Sequence, residues 1–359
     1  MPIPQCSVKI LPESGNAKVC LVTTGGTISS VYDPMTQALR PGLSVPALLE
    51  SLPKGMGNVE VVQRELFQLD SANAQPHHWQ ELASAIIDIH EEIPDLQGIV
   101  VSHGTDTMAY SAAAVSFMVR DFGRPIVFTG AQIPATIPWS DGPRNLIDAI
   151  RVAAFGDIGE TCIVFNGEIH RGTRIKKLRV NSYDAFDSMD PTPLGVLARD
   201  IVLYEGRKKR NKLVPKFDTR ISDRVWLLKV FPGLQPKILP KITEMGYQGI
   251  VIEGFGAGNI PSEENAIAGA ISKAVSQGCF VVISSQCAFG QADLSMYEVG
   301  RVAAEAGAMS AYDMTSEAAV VKLAWILGRT SEPDQVREMM MTDYVGEITF
   351  LGQSGYKGS

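Results

Sequence analysis

The chain has 359 residues, more than one hydrophobic core comfortably serves, so two domains are expected. With 45% hydrophobic and 20% charged residues it is too apolar for a disordered chain and has ample surface for a core. A formal charge of −7 argues against a nucleic-acid partner, because phosphate binding needs Lys and Arg clustered on one face, and no apolar run reaches membrane-spanning length.

The first half alternates short β-branched runs with amphipathic stretches, the pattern of a mostly parallel sheet flanked by helices. Residues 18–24, 98–102, 125–129 and 161–165 are apolar runs ended by Gly, Asn or His, which suits central strands buried on both faces. Between them, 76–90 sets Trp79, Leu82, Ala83 and Ile86 at three- and four-residue spacings, one apolar helical stripe, and 107–120 and 145–154 repeat the theme. The adjacent His77 and His78 do not share a helix face and read as surface or cap. From 203 the chain turns polar and basic: Arg207-Lys208-Lys209-Arg210 reads as a solvated run, and the linker is placed at 203–224. It separates a large N-terminal domain, 1–202, from a smaller α/β domain, 225–359. In the latter, 225–230, 249–253 and 280–285 read as strands, and 236–245, 262–277, 314–327 and 332–341 as helices. The five cysteines include no Cys-x-x-Cys pair and read as reduced thiols; the N-terminus has no leader-like pattern, so a cytoplasmic protein is expected.

The polar clusters Thr24-Gly25-Gly26-Thr27, His103-Gly104-Thr105-Asp106, Thr129-Gly130-Ala131-Gln132 and Asn166-Gly167 all follow strands, as does 254–259. In open α/β sheets that edge binds ligands. Metal-ligand spacing, a Gly-x-Ser-x-Gly elbow and a P-loop are missing from the sequence, and Gly254-Phe255-Gly256-Ala257-Gly258 reads as a tight turn and not a dinucleotide loop, so neither metal nor cofactor is expected. Threonine hydroxyls remain. To attack an amide, a hydroxyl needs a proton acceptor, a fixed orientation and donors facing the developing oxyanion. Thr27 and the Thr105-Asp106 pair are the candidates, weighed against a structural Gly-Gly-Thr turn and a helix N-cap. Lys177 supplies a base if Asp106 holds it, although spacing alone leaves Arg174 and Lys176 equally open.

At these residues the sequence resembles the bacterial-type L-asparaginase family, in its cytoplasmic type I branch. Thr24-Gly25-Gly26-Thr27-Ile28 and His103-Gly104-Thr105-Asp106-Thr107-Met108 are similar to the family's two threonine motifs. The likeness runs on through Thr129 to Pro134, Ser140-Asp141-Gly142, Arg171 to Phe186, Gly256 to Asn259 and Asp313-Met314-Thr315. It implies that Thr27 forms an acyl-enzyme, supported by Thr105, Asp106 and Lys177, the lysine being seventh in the motif that opens at Arg171. It also implies that Asp70 and Ser71, with Asp106 and Gly104, hold the substrate, and that Ala131 lies on the oxyanion side. Leu39 stands where the family places a loop tyrosine, and Tyr32 is the candidate substitute. Ala72 stands where the periplasmic branch has glutamine, which speaks against strong glutaminase activity.

The implied reaction is hydrolysis of L-asparagine to L-aspartate and ammonia without a cofactor. The implied assembly is a homotetramer, a dimer of dimers whose sites are shared between subunits, with Asn259 as the partner's contribution. Two alternatives stand beside this reading. One is the tRNA-dependent amidotransferase subunit that releases ammonia from glutamine, against which the early position of the first threonine motif is weighed. The other is a non-catalytic asparagine sensor.

Overall fold

The computed structural model describes residues 8–10, 17–33, 35, 37–41, 59–189, 193–263 and 266–349. The chain divides into two compact units, Met1–Ile221 and Ser222–Ser359. The break lies inside the segment expected as a linker, most of which is bound into the first unit.

The strands of the first unit are β1 (Val8–Ile10), β2 (Ala17–Gly25), β3 (Ser30–Asp33), β4 (Ala38–Pro41), β5 (Val59–Leu69), β6 (Gly98–Ser102), β7 (Val119–Arg120) and β8 (Ile126–Thr129), followed by β9 (Thr161–Phe165), β10 (Glu168–Arg171), β11 (Ile175–Lys177), β12 (Phe186–Ser188), β13 (Gly195–Leu197), β14 (Ile201–Leu203) and β15 (Lys216–Phe217). Nine of these form one sheet in the order β1-β14-β13-β10-β9-β8-β6-β2-β5. From β5 to β9 it is parallel, and from β9 to β1 antiparallel. Parallel neighbours need long crossovers; among the described residues, the helices α1 (Pro76–Glu92), α2 (Met108–Met118) and α3 (Gly142–Phe155) lie in those from β5 to β6, β6 to β8 and β8 to β9.

The central strands are apolar because both faces are covered. Leu21, Val100 and Val127 meet Leu146, Ala149 and Ala153 of α3 in one cluster. Helix α1 buries the expected stripe of Trp79, Leu82, Ala83 and Ile86, and adds Ile89. Its first turn is capped by His78, whose Nδ1 accepts the Gln75 N–H at 3.0 Å. Strand β5 is not among the expected strands, because Glu60, Arg64 and Glu65 interrupt its apolar pattern; it is the last strand in the sheet order and half exposed, so it tolerates them.

The basic run is not a solvated tether. Arg207 is buried, with its guanidinium on the carbonyl (2.9 Å) and carboxylate (3.0 Å) of Asp157. Arg210 donates to the carbonyls of Ala153 (2.9 Å) and Gly156 (2.6 Å) at the end of α3, and to that of Gln97 (2.6 Å). A cation there satisfies carbonyls that the helix leaves unpaired and faces the negative end of its dipole.

The second unit is a parallel four-stranded sheet, β16 (Val225–Lys229), β17 (Gly249–Gly254), β18 (Phe280–Ser285) and β19 (Met309–Ser310), in that order. Its helices are α4 (Ile238–Glu244), α5 (Ala268–Ser276), α6 (Glu298–Glu305), α7 (Ser316–Leu327) and α8 (Pro333–Met341). Helix α6 is not among the expected helices, because it buries only Gly300 and Ala303 and so leaves little apolar signature. The glycine cluster after β17 is a tight turn: Phe255 N–H reaches Asn259 O at 2.8 Å, with Gly256 and Gly258 at positive φ. Inside the unit, Lys322 and Glu347 form a fully buried pair at 2.7 Å, kept tolerable by two carbonyl acceptors for the ammonium, Met340 and Thr342, and backbone donors for the carboxylate.

The protein thus has a two-domain α/β fold, a large mostly parallel unit and a smaller one. No helix of the described residues is long and apolar enough to cross a membrane. Cys20, Cys162 and Cys279 are buried free thiols, Cys287 is exposed, and Cys6 lies outside the described residues.

Burial pulls His103 and His170 down to about 4, from 6.5, so both are neutral in the folded protein at neutral pH. Their unfolded forms take up protons first, and stability is therefore lost as pH falls from about 6.5 towards 4. Denaturant melts at about pH 7.5 and pH 5 are expected to differ by roughly 2 kcal/mol per histidine, with His170→Gln shrinking the difference.

Candidate active site

The loops that follow β2, β5, β6 and β8 meet at the carboxyl edge of the large sheet. Gly25 and Gly26 take φ of 99° and 83°, which turns the chain off β2 into a short 3-10 turn, Thr27–Ser29. The turn is tied back by the hydroxyls of Ser29 (3.1 Å) and Ser30 (3.0 Å) on Gly26 O, and by Gly26 N–H on Leu69 O (3.0 Å). Gly26 lies directly against Gly104: a Cβ on Gly26 would collide with the N and Cα of Gly104. One on Gly104 would in turn strike the Ser71 side chain. Three loops are therefore in backbone-level contact, and Thr107 Oγ1 fastens the second to the third by donating to Ser71 O at 2.8 Å.

The threonines at this edge divide by what their hydroxyls do. Thr24 Oγ1 donates to Ser102 O and Thr129 Oγ1 to Val164 O, each at 2.9 Å, so both lock a strand end to its neighbour. Thr27 is half-buried, and its hydroxyl makes no hydrogen bond among the described residues. Thr105 belongs to a chain of side chains: Lys177 Nζ donates to Thr105 Oγ1 and to Asp106 Oδ1, both at 2.7 Å, and Thr105 Oγ1 donates to Gln132 Oε1 at 3.2 Å. The N-cap alternative for Thr105 and Asp106 is set aside, because the cap position of α2 is Thr107.

Lys177 reaches this point from β11, pinned opposite Phe186 of β12. Of Arg174, Lys176 and Lys177, which spacing left open, Lys177 is hydrogen-bonded to Thr105 and Asp106, while Arg174 is buried. Gln132, not among the expected site residues, is held by donating Nε2 to the carbonyls of Val180 (2.8 Å) and Ser182 (3.2 Å). Its backbone N–H and that of Ile133 bond to Asp141, which also takes the Asn145 amide. A lone glutamine in the apolar stretch Ala131 to Pro134 is the signal that marks it.

Ser71 and Gly104 are buried at the loop junction, and Ala131 shares an apolar cluster with Ile28, the residue after Thr27. Asp70 is exposed, with Oδ1 on Ala72 N–H at 3.0 Å. The Asp106 carboxylate is 60% exposed and contacts Lys177 Nζ at 2.7 Å. The backbone of Tyr32 lies in β3 opposite Leu39, and its side chain is outside the described residues. His103 is no base: it is buried, neutral and bonded to Gly104 O at 2.7 Å.

Residues 18–209 match the family "Asparaginase, N-terminal", and residues 224–340 match "Glutaminase/Asparaginase C-terminal domain". The chain belongs to the asparaginase/glutaminase family. This asparaginase-family chain is 38% identical to a glutamyl-tRNA(Gln) amidotransferase subunit from Pyrococcus abyssi, over 93% of its own length and 77% of that protein's. Among solved structures it is similar to the thermostable L-asparaginase from Thermococcus kodakarensis, at 35% identity and a TM-score of 0.85, covering 92% of this chain and 99% of the other. It is also similar to L-asparaginase I from Vibrio cholerae, at 29% and 0.82, covering 93% and 100%. The expected placement in the bacterial type I branch is corrected by these values, since archaeal amidotransferase subunits match the sequence better than L-asparaginase I does.

Replacing Gly26 with alanine forces a side chain into the Gly104 backbone at a left-handed φ. A stability loss on the order of 1–3 kcal/mol is expected from the strained backbone alone, with amide hydrolysis lost even where the variant stays folded. Thermal melts beside an ammonia-release assay read the two effects separately.

Proposed function

We propose that this chain hydrolyses the side-chain amide of a free amino acid, L-asparagine, through an acyl-enzyme on Thr27. The observation that carries the proposal is the chain of Lys177, Thr105 and Asp106, joined by two 2.7 Å bonds, with Gly104 before it packed on Gly26 before Thr27, whose hydroxyl has no structural partner among the described residues. In this reading Thr27 Oγ1 adds to the amide carbon while its proton passes into the Thr105–Lys177 chain. The C–N bond then breaks, ammonia leaves with that proton, and water cleaves the aspartyl ester to release aspartate and restore Thr27. Asp106 holds the lysine in place. Asp70 and Asp106 offer carboxylates to the substrate's ammonium, Ser71 and Gly104 shape the cleft floor, and Ala131 lies on the side where the oxyanion develops.

A second reading is favoured by a specific finding, the 38% identity to a tRNA-dependent amidotransferase subunit. In it the same residues release ammonia from glutamine for use on a tRNA-borne acyl group. The net charge of −7 does not exclude a nucleic-acid partner in this reading, since a second protein in such an assembly can hold the tRNA. A cytoplasmic location and a homotetramer in which Asn259 serves a neighbouring subunit's site belong to the first reading; the Asn259 Oδ1, buried without a hydrogen-bond partner among the described residues, is in keeping with that role.

The test is ammonia release from free asparagine and glutamine across a concentration series, with wild type and Lys177→Met. The proposal predicts turnover of asparagine by the chain alone, with Lys177→Met lowering kcat by about 100-fold or more and KM far less, since a proton relay acts mainly in the transition state. Release from glutamine only, dependent on a charged tRNA, gives the second reading. Asparagine binding without ammonia from either substrate gives a sensor.

A further inference from the structure

A second cleft lies at the opposite edge of the large sheet. It is lined by the segments that enter β6 (Pro94 to Gln97) and β8 (Phe122 to Arg124), by His90 near the end of α1, and by Arg210 to Pro215, and it encloses about 660 Å³. The segments are clamped: Asn211 N–H donates to Gly123 O at 3.1 Å, and a Cβ on Gly123 would collide with Asn211 O.

Its charges are unbalanced. Among the lining residues, Arg124, Arg210 and Lys212 stand beside one carboxylate, Asp95, which Lys18 holds at 3.1 Å, while Asp157, behind Arg210, is held by Arg207. The Arg210 guanidinium is spent on carbonyls. Burial, with Arg124 adding its repulsion, pulls Arg210 down to about 10 in spite of Asp157. Arg124 makes a single hydrogen bond among the described residues, from Nη2 to Pro94 O at 3.0 Å, and its Nη1 is buried with no partner there. The Nδ1 of His90 is likewise buried and unpaired among the described residues, its ring packed on Phe122 with centroids 5.2 Å apart.

An orphaned buried donor on a charged group costs more than the hydrogen bond it lacks, and two neighbouring guanidiniums add repulsion. An oxyanion in the cleft offsets the repulsion, and guanidinium is the side chain best suited to hold one. The walls are apolar on either side of these donors: Leu96 and Phe122 are buried beneath, while Leu213 and Val214 stand 60% and 84% exposed at the rim.

We infer that this cleft binds a small organic oxyanion, a carboxylate or phosphate monoester bearing an apolar group, with its oxygens on Arg124 and its apolar part against Phe122 and Leu213. The inference is independent of the reaction proposed above, because the catalytic loops leave the other edge of the sheet. It also gives the basic segment after Arg207 a ligand-binding use beyond capping α3.

Calorimetric titration of the full chain with phenyl phosphate, benzoate and inorganic phosphate tests it. Saturable binding of phenyl phosphate or benzoate is expected, with Arg124→Gln weakening it by roughly tenfold or more, Arg124→Lys by less, and added salt weakening it further. Whichever organic probe binds more tightly tells phosphate monoester from carboxylate. The inference is overturned if neither probe saturates by about 10 mM, if Arg124→Gln binds as well as wild type, or if inorganic phosphate binds as tightly as both organic probes. Melting curves report whether Arg124→Gln is folded. If it is not, Lys212→Glu, a change on an exposed side chain, is expected to weaken binding by its charge, and unchanged binding then counts against the site.

Discussion

Two peptide backbones in contact, at Gly26 and Gly104, set the distance on which the whole candidate site depends. A side chain at either position is sterically impossible without moving a loop, the first because it meets the second and the second because it meets Ser71. That contact brings the residues after each glycine, Thr27 and Thr105, onto one edge of the sheet although 78 positions apart in sequence. The parallel sheet makes it possible, because adjacent strands β2 and β6 end at the same level, with Thr23 paired to Ser102.

Around this junction, hydroxyls with the same chemistry have different duties. Thr24 and Thr129 spend their protons on neighbouring carbonyls. Thr105 is wired to Lys177 and Gln132, and Thr27 is left with its hydroxyl uncommitted among the described residues. A nucleophile has to be free of structural bonds and near a proton acceptor; among the described residues Thr27 is the threonine of the four that meets the first condition, and the contact of Gly26 with Gly104 sets its loop against the residue before Thr105.

Much of this was legible in the sequence, for identifiable reasons. Central strands such as 98–102 are buried on both faces and read as continuous apolar runs, and the strand-end glycines mark places where backbone must approach backbone. The edge strand β5, the antiparallel strands of three or four residues from β10 to β14, and helix α6 were not legible, because partial burial or shortness leaves no periodic pattern. The basic run misled for a related reason: charge density reads as solvation, yet its arginines are consumed by Asp157 and the carbonyls at the end of α3. Gln132 was unrecognised because its importance lies in what it joins, Thr105 to the Val180–Ser182 segment, and that juxtaposition exists only in the folded chain.

The two edges of the large sheet carry different chemistry, hydroxyls and carboxylates at one and guanidiniums at the other. The central claim concerns the first, that Thr27 is the nucleophile and Thr105 its relay. Peptide mass spectrometry after mixing the protein with a slowly hydrolysed asparagine analogue tests it most directly. The account predicts one acyl adduct, on the peptide containing Thr27, which disappears in Thr27→Val. An adduct on Thr105, or undiminished hydrolysis by Thr27→Val, would contradict it.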